Sequence, residues 1–342
     1  MLKHKSYIQI LNVFSCFAVI VLHVNHCFWD FGYENYWVLA NFIESLMYFA
    51  VPIFFMITGV TLMDYRKRYS TREYFQKRIH KVVIPYIIWS IIGILWMIMM
   101  KEINWNDVSL KMIIDVLMNA DMITVYWYFI PLIAIYLSIP VLSSIPSENR
   151  QKIFQYIICF SFLTVSLLPL FFDLIGIPYN GSLQLPVATN HVLFVLIGYY
   201  IDRYPLTKSQ RRWIYILGIV GFLVHWLGTW YVSYQLGDVS RLFKGYTNAP
   251  SVLYATAIFV AFKYMSVNKV QILEKITSSV NSTTFGIYLI HWFVIQVFLL
   301  VSGISQRVVI YRIIGPFFIM LICAIIVKLM QKIPILKKCV PA

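Results

Sequence analysis

The sequence predicts an all-α fold: a polytopic membrane helix bundle of about ten transmembrane helices with both termini in the cytoplasm. Three observations carry that reading. Of 342 residues, 60% are hydrophobic and only 12% charged, whereas soluble domains carry roughly 25% charged residues. Apolar windows near the ~20 residues needed to cross a ~30 Å hydrocarbon core recur along the whole chain. The basic residues also fall on alternate sides of those windows, as the positive-inside rule requires.

The windows lie near residues 7–28, 37–63, 82–100, 125–143, 153–174, 185–201, 213–231, 250–266, 281–302 and 308–331. The first lacks a small-residue cleavage site and is followed by further spans, so it is expected to remain as a helix. With the amino terminus inside, 22 of the 28 Lys and Arg residues fall in cytoplasmic segments. The other six are Lys101, Lys111, Arg241, Lys244, Arg307 and Arg312. This asymmetry accounts for most of the net charge of +14, and a nucleic-acid partner is not needed to explain it. Residues 105–124, "WNDVSLKMIIDVLMNADMIT", are amphipathic and too polar to span, so they are placed as an interfacial helix on the outer face. No second soluble domain is expected, and residues 1–342 read as one membrane-embedded unit. The five cysteines are scattered without C-x-x-C or Cys/His metal spacing, which predicts neither a disulfide nor a metal site.

Ionisable groups within spans are costly and mark candidate functional sites. At 1.5 Å per residue, His23 lies roughly 24 Å from the cytoplasmic side, and Glu44 lies roughly 10 Å below the outer boundary on the returning helix. The two therefore share a depth. A carboxylate beside an imidazole can fix its tautomer and raise its basicity, as a general base requires; a structural hydrogen bond between packed helices would give the same match. His191, His225, His291 and Arg312 are further intramembrane polar groups, each either lining a cavity or satisfied by a neighbour. His26, near the interface, reads as a wet structural residue. On the cytoplasmic side, "DYRKRYSTREYFQKRIHKVVIP" places seven Lys and Arg before the third span. Topology and anionic lipid alone would explain them. Arg78 and Lys81, three apart on one helix face, could also converge on a phosphate group.

Six short motifs, at residues 8–23 ("IQILNVFSCFAVIVLH"), 52–62 ("PIFFMITGVTL"), 75–90 ("FQKRIHKVVIPYIIWS"), 126–142, 192–203 and 282–294, follow one another along the chain. Their order resembles that of the acyltransferase-3 family, integral-membrane enzymes that O-acylate cell-surface glycans and related acceptors. "IQILNVFSCFAVIVLH" (8–23) resembles that family's first helix, which ends in a histidine and usually has an arginine eleven residues earlier; here that position is Asn12. "PIFFMITGVTL" (52–62) resembles its Phe-Phe-x-x-Ser-Gly segment, and "FQKRIHKVVIPYIIWS" (75–90) its Arg-x-x-Arg-then-Pro element with lysine in the second place. "YWYFIPLIAIYLSIPVL" (126–142), "VLFVLIGYYIDR" (192–203) and "STTFGIYLIHWFV" (282–294) resemble its later segments in the expected order.

The resemblance implies acyl-CoA, commonly acetyl-CoA, as donor and no metal. It implies His23 as the catalytic histidine, Arg78 and Lys81 near the CoA phosphates, and Trp127 and His291 near the site. Asn12 departs from the pattern, and Arg312 is a candidate for the missing arginine's work. The implied setting is a bacterial-type cytoplasmic membrane, with a glycan or lipid-linked saccharide as acceptor; the family's optional extracytoplasmic hydrolase-like domain is not expected. In the resulting scheme the basic cytoplasmic loop grips the nucleotide, and His23, oriented by Glu44, deprotonates an acceptor hydroxyl. An acyl-histidine intermediate is the other covalent route. A rival from another class is an exporter of polysaccharide or small solute, whose pathway the same polar groups would line without covalent chemistry.

Overall fold

A computed structural model of the protein describes residues 3–120, 122–184 and 190–341. Its ordered elements are helices, with no strand among the described residues. Eight of the helices are long and apolar enough to cross a membrane: Ser6–Val24, Asn35–Lys67, Thr71–Met99, Thr124–Leu142, Arg150–Leu174, Lys208–Leu236, Thr284–Ser302 and Val309–Lys332. A ninth arises if Ala249–Lys263 and Asn268–Asn281, bent by 103°, are taken as one broken span.

The difference from ten windows has a physical origin. The window at 185–201 corresponds to the helix Val192–Arg203, only 12 residues long, or about 18 Å at the usual rise; residues 185–189 lie outside the described residues. It is apolar because protein buries it, not because lipid surrounds it. Leu193, Phe194, Val195 and Leu196 are all fully buried. Its closest packing is against Ala50–Leu62, where a Cβ added at Gly59 would sit 2.0 Å from the Val195 carbonyl oxygen and one at Gly198 2.3 Å from that of Met56. The two backbones touch only because both positions lack a side chain, the small-residue device of membrane helix pairs.

Outer helices show the opposite pattern. In Val309–Lys332, Ile319, Cys323 and Val327 recur every four residues and are buried, while Phe317, Leu321, Ile325 and Leu329 are exposed. One face packs on the bundle, and the other is as apolar as lipid requires. The amphipathic segment forms the helix Leu110–Asn119, begun by Ser109, whose hydroxyl accepts from the Met112 amide at 3.2 Å. It exposes Leu110, Ile114 and Met118, four residues apart on one face, as an interfacial helix does.

Pro85 shapes the basic end. It has no N–H, and its ring crowds the carbonyl four residues back. The helix begun at Thr71 accordingly widens into a π-type turn over Ile79–Val83 before resuming at Ile84–Met99. Such single-turn widenings are frequent at functional sites; here Arg78 lies just before the turn and Lys81 in its middle.

Candidate functional site

Two cavities enter the bundle from opposite ends. The one at the basic end, about 450 Å³, is lined by Asn12, Arg78, Lys81, Tyr136, Thr284 and Tyr288, among others. The Arg78 guanidinium lies 5.7 Å from the Tyr136 ring centroid and 6.0 Å from that of Tyr74, and its Nε is buried without a hydrogen-bond partner among the described residues. Asn12 is satisfied locally: its amide donates to Thr284 Oγ1 at 2.8 Å and to Asn281 Oδ1 at 3.2 Å.

The opposite cavity, about 410 Å³, is lined by His23, Glu44, Tyr48, Trp127, Tyr246 and Tyr288, with His26 and Arg241 toward its mouth side. The His23 ring lies 5.1 Å from the His291 ring, centroid to centroid. His291 Nδ1 is 2.7 Å from the Tyr288 carbonyl oxygen. A carbonyl only accepts, so Nδ1 carries the proton of the neutral ring and the lone pair sits on Nε2, which is buried without a partner among the described residues. Tyr288 lines both cavities, and its hydroxyl donates to the Val125 carbonyl.

The structure corrects the expected role of Glu44. It shares the cavity of His23 but does not orient it, because Glu44 Oε1 accepts from Lys244 Nζ at 2.7 Å and Oε2 has no partner among the described residues. Both side chains are almost fully buried, 6% and 1% exposed. The lysine, in the connection between Thr229–Leu236 and Ala249–Lys263, wins the carboxylate because it can hold it by charge as well as by hydrogen bond. Its Nζ also lies 4.1 Å from the Tyr48 ring centroid and 4.4 Å from that of Phe28, a cation–π setting that partly replaces water. Burial lowers the Lys244 pKa from the ordinary lysine value, and the Glu44 charge opposes the shift.

Trp127 stands in the cavity of His23, stacked on Tyr246 at 5.3 Å and 15°. Arg312 donates to the carbonyls of Tyr36 at 2.9 Å and Arg307 at 3.2 Å. It thereby ties the outer ends of two helices together, while Asn12 faces the basic-end cavity, so it does not stand in for an arginine at position 12. His291 backs His23 from the neighbouring helix.

Sequence reasoning missed Lys244 and the stacked rings around it. Lys244 was visible as one of six basic residues on the disfavoured side of the membrane. A charge retained against that bias calls for a buried partner.

The acyltransferase domain model of the acyltransferase-3 family matches residues 5–329. The chain belongs to the acyltransferase-3 family. It is therefore a multi-pass membrane acyltransferase, which takes an acyl donor and an acceptor as substrates. No curated protein and no solved structure matches it. Among the described residues of this acyltransferase-3 chain, no group of three His, Cys, Asp or Glu side chains is placed to hold a metal ion.

Proposed function

We propose that the protein transfers an acyl group, acetyl in the simplest case, from cytoplasmic acyl-CoA to a hydroxyl of an extracytoplasmic cell-surface glycan or lipid-linked saccharide, across a bacterial-type plasma membrane. The observation that carries the reading is the meeting of two unlike cavities at Tyr288, one bearing Arg78 and Lys81 and the other bearing His23. The cationic pair suits the CoA phosphates, which guanidinium and ammonium groups bind through charge-assisted hydrogen bonds. The narrow pantetheine arm then passes Tyr288 and presents its thioester to the outer cavity.

There His23 acts as general base. A ring nitrogen of His23 takes the proton of the acceptor hydroxyl as the oxygen attacks the thioester carbonyl. The tetrahedral adduct collapses with cleavage of the carbon–sulfur bond, and the proton held by His23 passes to the departing thiolate. Products are the ester and free CoA, and His23 ends in its starting state.

The deciding experiment incubates purified protein with radiolabelled acetyl-CoA and compares the wild type with His23→Ala and with Arg78→Ala/Lys81→Ala. Release of CoA that is lost in His23→Ala and needs far more donor in the double variant supports the scheme. Donor binding indifferent to the Arg78/Lys81 change would remove the CoA site from the basic-end cavity.

A further inference from the structure

The segment beyond the last membrane helix is built into the basic end of the bundle. Pro334 stops Val309–Lys332: the residue before a proline is pushed out of the helical region, and Ile333 is extended at φ −97° and ψ 118°. A short turn, Leu336–Lys338, then carries the chain back, closed by the Cys339 amide donating to the Leu336 carbonyl at 2.9 Å. Segments past a domain's last helix are poorly ordered unless something ties them down, and here three ties converge. The Trp89 indole N–H donates to the Cys339 carbonyl at 3.0 Å. The Gln331 amide donates to the Val340 carbonyl at 3.1 Å and, also at 3.1 Å, to that of Ser282, which lines the basic-end cavity. Val340 is fully buried against Gly286, where an added Cβ would come within 3.2 Å of its own. The next residue, Pro341, stands in the lining of that same cavity with Arg78 and Lys81.

We infer that residues 339–341 form a fixed wall of the donor site, with Pro341 touching the bound acyl-CoA arm and Trp89 and Gln331 as positioning residues that hold it there. This rests on the reading above that Arg78 and Lys81 take the CoA phosphates. The ties reach the parts such a site must keep in register: Trp89 stands four residues after Pro85 on the helix that follows Lys81, and Gly286 two residues before Tyr288. A proline suits the wall because its ring is apolar, its φ is fixed and it has no N–H to satisfy. The CoA arm offers the complement, a dimethyl-substituted carbon between its diphosphate and its first amide. Bulk added at position 341 should therefore exclude the donor without disturbing His23 in the opposite cavity.

The test uses full-length protein carrying Pro341→Cys with Cys159→Ser and Cys339→Ser, which removes the two cysteines that are not buried. Trp89 bonds to a backbone carbonyl, so the Cys339 change keeps that tie. The introduced thiol is modified with a bulky maleimide, with or without S-acetonyl-CoA, a thioether that cannot release a competing thiol. Binding of radiolabelled acetyl-CoA is measured before and after. At about ten times its Kd the ligand should slow modification about tenfold by mass action, and the modified protein should lose acetyl-CoA binding. Lys332→Cys in the same background, exposed at the end of the last helix, should react at one rate with or without ligand. Trp89→Phe keeps a ring and removes one hydrogen bond, so it should raise the acetyl-CoA Kd about threefold or more and speed modification at position 341 but not at 332. Pro341→Trp in the otherwise native chain should also weaken acetyl-CoA binding, should the cysteine background fold poorly. The wall is overturned if acetyl-CoA binds and the thiol is not protected, if modified protein binds as before, or if position 332 is protected equally; the donor site at Arg78 and Lys81 then stands without it. Native protein that binds no acetyl-CoA would overturn the donor reading itself, and this inference with it.

Discussion

His23 and His291 face each other across two helices with ring centroids 5.1 Å apart, and His291 is fixed from behind by the Tyr288 carbonyl. On the proposed mechanism, His291 would restrict how the His23 ring turns and so set the orientation of the base without taking the acceptor proton itself. His23→Ala should lower kcat by about 10²–10⁴-fold, the usual worth of a general base. His291→Phe keeps a ring against His23 but removes the nitrogen, and should cost about tenfold in kcat with little change in donor KM. Steady-state kinetics on the two variants checks this; a His291→Phe loss equal to that of His23→Ala would make His291 a direct participant.

Tyr288 lines both cavities and is tied to Val125 by its hydroxyl. Any thioester arm that enters from the basic end must pass this ring. Tyr288→Trp should narrow the passage and discriminate by size, lowering kcat/KM for butyryl-CoA about tenfold more than for acetyl-CoA. Competition between the two donors measures that ratio. An unchanged ratio would mean that the arm does not travel past Tyr288.

Arg78 and Lys81 are brought to one cavity by the widened turn that Pro85 forces. Hydrogen bonds to charged groups contribute about 1.5–3 kcal/mol each, equivalent to about 10–100-fold in affinity. Arg78→Ala should therefore raise the KM for acetyl-CoA by about that factor with kcat little altered, and added salt should weaken donor binding more in the wild type than in the variant. Titration of acetyl-CoA at two ionic strengths reads both effects.

How much of this was legible in the sequence depends on the range over which each feature is determined. Long apolar windows and the bias of Lys and Arg are local properties, and they give the membrane helices and the alternating ends directly. At 185–201 apolarity reports burial without saying whether lipid or protein provides it, and the contact of Gly198 with Met56 shows that protein does. Depth along helices brought His23 and Glu44 to one level, and both do line one cavity. Depth says nothing about which way a side chain turns, so the carboxylate's true partner, Lys244, lay 200 residues away and out of reach of spacing arguments. The stack of Trp127, Tyr246 and Tyr48 joins three distant segments and leaves no periodic trace.

The Glu44–Lys244 pair also makes a prediction about stability that is independent of catalysis. Taking two charges out of water is expensive, and their attraction offsets the cost only while both are present. Lys244→Met leaves the Glu44 carboxylate buried beside apolar and aromatic groups with its Oε1 partner gone, and should destabilise the protein by about 3–5 kcal/mol. Glu44→Gln/Lys244→Met removes both charges and keeps a similar volume, so it should recover most of that loss. Apparent melting temperatures of the two variants in the same detergent decide the matter: a double variant no more stable than Lys244→Met would show that shape, and not charge, holds this part of the bundle together.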